Sequence, residues 1–139
     1  MKTASLTTFA GAALLTLAAC GVSPDATYRS AEDLASALDS EGFRCEPASE
    51  PATIADGYGE EIQCDTGMGV SNWEDDLPDH AQDPGLLFLI GGQMTGKHYV
   101  LHDTWAISVD RASHAEAIQE VFGGELVEPD REMMDLIGQ

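Results

Sequence analysis

The stretch from Gly91 to His98, with the sequence GGQMTGKH, has the spacing in this chain that most resembles a chemical motif. Gly91, Gly96 and Lys97 match the first part of a phosphate-binding loop, in which backbone N–H groups and a lysine hold phosphates. His98 stands where that loop needs a hydroxyl for Mg²⁺, and the following residues are typical of a strand rather than the required helix. We therefore interpret the stretch as a helix end and a turn, with Lys97 exposed.

His98 and His102 are four residues apart, a spacing that on a helix would let both bind one Zn²⁺ ion. Their surroundings are typical of a strand and a turn, and residues four apart in a strand are separated by roughly 13 Å. One ion cannot bridge that distance. We expect two surface histidines beside a hairpin turn.

A strongly acidic loop spans residues 74–83 and offers the oxygen ligands that Ca²⁺ prefers. Its spacing does not match the calcium loop of helix–loop–helix proteins, which needs acidic groups at alternating positions around a glycine. A solvated loop is the main interpretation, with no metal site and no cofactor; a divalent-cation-binding protein is the alternative. The weak candidate ligands are Glu74, Asp75, Asp76, Asp79 and Asp83, with His80 among them.

Catalysis would need a nucleophile, a base and an orienting group. The hydroxyl groups of Ser30 and Ser113 are best placed as helix caps, and His114 is expected at the surface just after such a cap. The sequence therefore predicts that the protein is not an enzyme.

The first residues form an export signal. A positive start at Met1–Thr3 precedes an uncharged run rich in Ala and Leu, and the next charge is Asp25. The run is shorter than the roughly 20 apolar residues of a membrane-spanning helix. It ends in Leu17-Ala18-Ala19-Cys20, which resembles the lipobox of bacterial lipoproteins. The resemblance implies cleavage before Cys20, a lipid on its thiol, and anchoring at the extracytoplasmic face of the cell membrane; an ordinary secretory signal is the alternative.

Lipidation of Cys20 would leave Cys45 and Cys64 as a pair. In an oxidising compartment such a pair is expected to form a disulfide, which stabilises the fold by roughly 3 kcal/mol for a loop of about 20 residues. A zinc site is the alternative, but two cysteines without a nearby histidine or a second pair make a poor one.

Removal of residues 1–19 would leave 120 residues and, because Lys2 is lost, change the formal net charge from −19 to −20. Such a charge repels nucleic acid and anionic lipid headgroups, so no nucleic-acid partner is expected. The expected partners are the membrane, through the lipid anchor, and an envelope protein.

Periodicity and capping signals predict the elements that position these residues. The first half should hold a helix from Ser30 to Gly42, a strand at 43–46, a loop at 47–61 and a strand at 62–73. After the acidic loop, Asp83 and Pro84 favour a helix ending near Gly96, with a buried strand as the alternative. A strand hairpin at 98–110, a helix from Ser113 to Gly123, an edge strand at 125–128 and a last turn at 133–137 complete the set.

This layout resembles small actinobacterial lipoproteins of unknown function. The matching residues are Gly42–Cys45, Cys64, Trp105–Val109 and Phe122–Gly124. The resemblance covers most of residues 30–128 and implies no activity. The predicted fold is α+β, a small and mainly antiparallel sheet with two or three helices covering one face and with one disulfide.

The expected organisation is a signal peptide at 1–19, a lipidated tether at 20–29 and a single domain at 30–139. The expected function is that of a membrane-anchored, exported lipoprotein that acts as a non-catalytic envelope accessory or interaction module. Trp73 and Trp105 are candidate binding anchors, with a core position favoured for Trp105.

Overall fold

The computed structural model describes residues 22–81 and 83–137, which form an antiparallel sheet and the helices that cover it. This confirms the predicted α+β class. The sheet order is β1-β2-β3-β5-β4-β6. The strands are β1 (Ala52–Ile54), β2 (Gly59–Gln63), β3 (Gly69–Trp73), β4 (His98–Leu101), β5 (Trp105–Val109) and β6 (Glu125–Val127), and the helices are α1 (Ala31–Ser40), α2 (Pro84–Thr95), α3 (Ala112–Phe122) and α4 (Arg131–Ile137).

One face of the sheet carries the main core. Register places Ile62 beside Val70, Val70 beside Ile107 and Ile107 beside Val100, so these four side chains share one face of four adjacent strands. All four are fully buried. Helices α1 and α3 cover this face through Leu34, Leu38, Ile118 and Phe122, which are also fully buried.

Helix α2 lies on the opposite face. Trp105 pairs with Asn72, so the neighbouring Trp73 points to the other side of the sheet. The ring of Phe88 in α2 stacks on Trp73 at 5.6 Å, whereas Phe122 in α3 meets Trp105 at 6.4 Å. The expectation that the helices cover one face was therefore wrong. An apolar run without periodicity does not reveal which side of a sheet it packs against.

The ends of α2 follow from its sequence. Asp83 accepts a hydrogen bond from the backbone N–H of Gly85 at 3.0 Å, and Pro84 occupies the first turn. Gly96 ends the helix in the left-handed region, with φ of 79°. Residues Pro84–Thr95 therefore form a helix, as favoured from the sequence, and not the alternative buried strand.

The caps of the other two long helices differ from each other. Ser30 Oγ accepts a hydrogen bond from the backbone N–H of Asp33 at 3.1 Å, which confirms the predicted cap of α1. Helix α3 starts at Ala112, and its N-cap Arg111 makes no side-chain capping bond. The predicted capping role of Ser113 was wrong, because Ser113 lies inside the helix.

The region between α1 and β3 differs most from the prediction. Residues 43–46 are not a strand: Arg44 has a positive φ of 55°, and only the single bridge between Pro47 and Cys64 follows. The expected loop at 47–61 contains β1 and most of β2. The expected strand at 62–73 is a hairpin, which turns at Gly67 with φ of 92°.

The predicted disulfide joins Cys45 to Cys64, with their Cα atoms 4.9 Å apart. Both cysteines are buried and belong to the main core. The disulfide therefore joins the irregular segment that follows α1 to the turn between β2 and β3.

Residues 22–28, which composition indicated as a tether, pack against the body. The Asp25 N–H donates to the Phe122 carbonyl at 2.8 Å, and the Trp105 indole N–H donates to the Ala26 carbonyl at 3.0 Å. The Tyr28 ring meets the rings of both Trp105 and Phe122. The packed chain therefore extends to Val22, before the boundary expected at residue 30.

Candidate functional site

Cys20, the predicted lipidation site, lies outside the described residues, as does the whole expected signal peptide. Within 22–81 and 83–137, no helix has both the length and the apolarity needed to cross a bilayer.

The acidic loop does not gather its carboxylates. Glu74, Asp75, Asp76 and Asp79 are exposed, and Asp83 serves as the cap of α2. In the described part of the chain, no group of three or more acidic, histidine or cysteine side chains is placed to hold a metal ion.

The glycine-rich stretch is a helix end followed by a strand. Gly96 ends α2, and Lys97, half-exposed, lies 3.3 Å from an Asp110 carboxylate oxygen. Strand β4 then starts at His98, so no helix N-terminus follows that could face a phosphate.

His98 and His102 were expected at the surface, and that was wrong, since both side chains are mostly buried. The His102 ring stacks on Trp105 at 5.1 Å, and its Nε2 lies 3.2 Å from Asp25 Oδ1. His98 lies 4.0 Å from a carboxylate oxygen of Glu128. Asp25 of the N-terminal segment thus lies against His102, and Glu128, just after β6, lies near His98. Sequence spacing alone does not indicate these contacts.

An open cleft of about 710 Å³ lies where the N-terminal segment, the β1–β2 connection and the turns after β3 and β4 meet. We call it the N-terminal cleft. Its walls include Tyr28, Tyr58, Trp73, Asn72 and Thr104. No histidine or cysteine of the described chain lines it.

Two side-chain oxygens of residues that line the N-terminal cleft have no hydrogen-bond donor from the described protein. Asn72 Oδ1 and Thr104 Oγ1 are buried and have no hydrogen-bond partner among the described residues. Buried polar atoms are normally paired. Because the amide oxygen of Asn72 only accepts hydrogen bonds, it favours a neighbour with N–H or O–H groups.

The rim of the N-terminal cleft is acidic. Glu74, Asp75 and Asp103 line it as exposed carboxylates, and Glu60 accepts a hydrogen bond from the Ala31 N–H at 3.2 Å. Arg29 also lines the cleft, with its Nε 3.8 Å from an Asp33 carboxylate oxygen, so the acidic residues of the lining outnumber the basic ones. Burial, with a smaller contribution from the charge of Glu41, raises the pKa of Tyr28, so this phenol remains protonated. The cleft thus favours a ligand group that carries positive charge and hydrogen-bond donors over an anionic one.

Neither tryptophan is free to act as a surface anchor. Trp73 is buried under Phe88, and its indole N–H donates to the Asp103 carbonyl at 2.9 Å. Trp105 is fully buried, as favoured from the sequence.

No family model matches this chain, and neither a curated protein nor a solved structure shows significant similarity to it.

Proposed function

We propose that this chain is an exported lipoprotein, anchored by lipid on Cys20 to the extracytoplasmic face of the cell membrane, where it acts as a non-catalytic interaction module. The observation that carries the proposal is the pairing of cysteines. Cys45 and Cys64 are joined in the core, which leaves Cys20, the last residue of the lipobox-like sequence, as the remaining thiol. A disulfide is also typical of exported proteins.

The point where the packed chain begins supports the same proposal. Val22 already contacts the core, and Cys20 precedes it by two residues. A lipid on Cys20 would hold the body directly against the membrane rather than on a long tether.

The interaction role rests on the N-terminal cleft. Its acidic rim suits a basic segment of another envelope protein. This chemistry is one of recognition and requires no bond to be made or broken.

Replacement of Cys20 tests the anchor. Cys20→Ser should abolish metabolic labelling with a palmitate analogue and move the protein from the membrane fraction to the soluble fraction. The Cys45→Ser/Cys64→Ser double variant is the control, because it removes the other two thiols and should still be labelled. Labelling that persists in Cys20→Ser would contradict the proposal.

Charge reversal at the cleft tests the interaction role. Cross-linking of the native envelope followed by mass spectrometry should recover the same partner repeatedly with the unaltered protein and lose it with Asp75→Lys/Asp103→Lys. The control is Glu116→Lys/Glu120→Lys, which makes the same charge change on exposed positions of α3. Equal partner recovery with both double variants would exclude the cleft as the binding surface.

A further inference from the structure

A second cavity lies between the segment after α1, the β2–β3 turn and the start of α3. Its volume is about 460 Å³, and it shares no lining residue with the N-terminal cleft. Arg44, Arg111 and His114 line it, and we call it the arginine cavity. The meeting of two arginines and a histidine stands out in a chain whose formal net charge is −19. The volume lies in the range of small-molecule sites, roughly 300–1,000 Å³.

The two arginines of this cavity have no carboxylate partner. Asp110 also lines the cavity, but one of its carboxylate oxygens lies 3.3 Å from Lys97 Nζ, so its charge is compensated. Neither Arg44 nor Arg111 forms an ion pair with a described residue, although the chain holds 25 acidic residues. A guanidinium group only donates hydrogen bonds. Both arginines are therefore available to an anion.

The backbone positions both arginines before any ligand binds. Arg44 has a φ of 55°, which residues other than glycine rarely adopt, and its carbonyl accepts a hydrogen bond from the Thr66 hydroxyl at 3.3 Å. The next residue, Cys45, is fixed by the disulfide. Arg111 is the N-cap of α3, so the positive end of this helix adds to the charge of the two side chains. Such prior ordering lowers the entropic cost of binding.

The remaining walls add a neutral donor and an apolar surface. His114 is half-buried, and burial, with a smaller contribution from the charge of Arg111, lowers its pKa. The ring is therefore neutral at physiological pH and offers one N–H group. The Phe43 ring lies 6.0 Å from it, and Met68 and Val109 line the cavity from the core. These walls favour a ligand in which an apolar group adjoins the anionic one.

Charge decides which kind of anion fits. The net charge of the whole chain repels polyanions such as nucleic acid and anionic membranes, whereas charges more than about 8 Å away are largely screened at physiological ionic strength. A small ligand with one anionic group therefore meets the least repulsion. A phosphate monoester carries a charge of about −1.5 to −2 at pH 7, which matches two guanidinium groups better than a carboxylate does.

We propose that the arginine cavity binds a small, soluble phosphate monoester, with the phosphate between Arg44 and Arg111 and the organic part against Phe43. His114 donates its N–H to the same phosphate. The inference needs neither the lipid on Cys20 nor the N-terminal cleft, so its failure would leave the proposed function unchanged.

NMR of the histidine rings in the mature protein, at constant ionic strength, tests the site. The ligands are phenyl phosphate, inorganic phosphate, benzoate and a water-soluble short-chain phosphatidic acid, and loss of a signal in His114→Gln assigns that residue. Phenyl phosphate should shift the His114 signals saturably and raise the pKa of His114, because a nearby anion stabilises the imidazolium. Inorganic phosphate should bind more weakly, because it has no group to contact Phe43.

Removal of either arginine should weaken the binding of phenyl phosphate by at least about tenfold, because each supplies charge-assisted hydrogen bonds. Arg44→Gln and Arg111→Gln are compared with Arg29→Gln, which removes the same charge at an exposed position of the other cleft and should leave the affinity unchanged. Circular dichroism checks folding. If Arg44→Gln, beside the disulfide, fails to fold, Arg111→Gln carries the test.

Three results would overturn the inference. The first is the lack of a saturable His114 shift with phenyl phosphate. The second is an equal loss of affinity in Arg29→Gln and in the cavity variants, which would indicate attraction to overall charge only. The third is tighter binding of benzoate, which would assign the cavity to a carboxylate, or of phosphatidic acid, which would assign it to a lipid headgroup.

Discussion

Reduction of the Cys45–Cys64 disulfide should lower the free energy of unfolding by about 3 kcal/mol. The two cysteines are separated by 19 positions, and in the chain-entropy model closure of a loop of that length restricts the unfolded chain by about 3 kcal/mol. An unfolding entropy of roughly 2.1 cal/mol/K per residue, over a body of about 115 residues, converts this loss into a Tm decrease of about 12 °C.

Local structure makes this disulfide important to the folded state as well. The segment from Gly42 to Pro51 belongs to no helix and no strand. Backbone hydrogen bonds from Ala48 to the Gln63 carbonyl and from Asp65 to the Glu46 carbonyl hold it to the β2–β3 hairpin. The Thr66 hydroxyl in the hairpin turn also donates to the Arg44 carbonyl at 3.3 Å. Because this segment is held mainly by such contacts and by the disulfide, we expect it to loosen when the disulfide is reduced.

Thermal unfolding of the mature protein in mild detergent, followed by circular dichroism with and without a phosphine reductant, measures the effect. A Cys45→Ala/Cys64→Ala variant is the control and should melt at one temperature whether or not reductant is present. If mass analysis shows reduced thiols and Tm changes by less than about 2 °C, the loop-closure argument is wrong for this protein.

Three further changes test the core and its caps, each by urea unfolding. Ser30→Ala should cost about 1 kcal/mol, because it removes the side-chain acceptor at the start of α1, whereas Ser36→Ala, exposed in the same helix, should cost almost nothing. Trp105→Phe should cost at least about 2 kcal/mol, because it shrinks a fully buried ring and leaves the partly buried Ala26 carbonyl without its donor. Burial, and secondarily the charge of Arg111, lowers the pKa of His114, so the unfolded chain binds this proton more readily than the folded one. The free energy of unfolding should therefore fall as pH drops below about 6.5, and His114→Gln should reduce that fall; an unchanged pH profile would contradict it.

Sequence reasoning succeeded where the signal was local. Alternation in Trp105–Val109, the Ser30 cap and the Asp83-Pro84 start each depend on a few adjacent residues, and the structure has all three elements. It failed at 43–46, because Phe43 and Cys45 are apolar at strand spacing although they serve the core from an irregular segment. Residues 59–61 belong to the segment 47–61, for which two prolines and many small or acidic residues predict a loop. They form most of β2 instead, and Glu61 accepts a hydrogen bond from Ser71 on the neighbouring strand.

The N-terminal cleft was missed for a different reason. Its residues come from four separate segments, near Tyr28, Tyr58, Trp73 and Thr104, which only the strand order brings together. No spacing within the chain encodes it. The exposed apolar residues of α2, which are Leu86, Leu87, Ile90 and Met94, did have a signal in the sequence, namely an uncharged run without helical periodicity. An apolar run alone does not separate a buried helix from one with an exposed side.

Mass analysis of the N-terminal peptide of the protein extracted from its native membrane tests the central claim most directly. The account predicts that the mature chain begins at Cys20 and that this residue carries the added mass of a diacylglyceryl group, while Cys45 and Cys64 remain linked. A chain that begins at another residue, or an N-terminal Cys20 with its thiol unmodified, would contradict it.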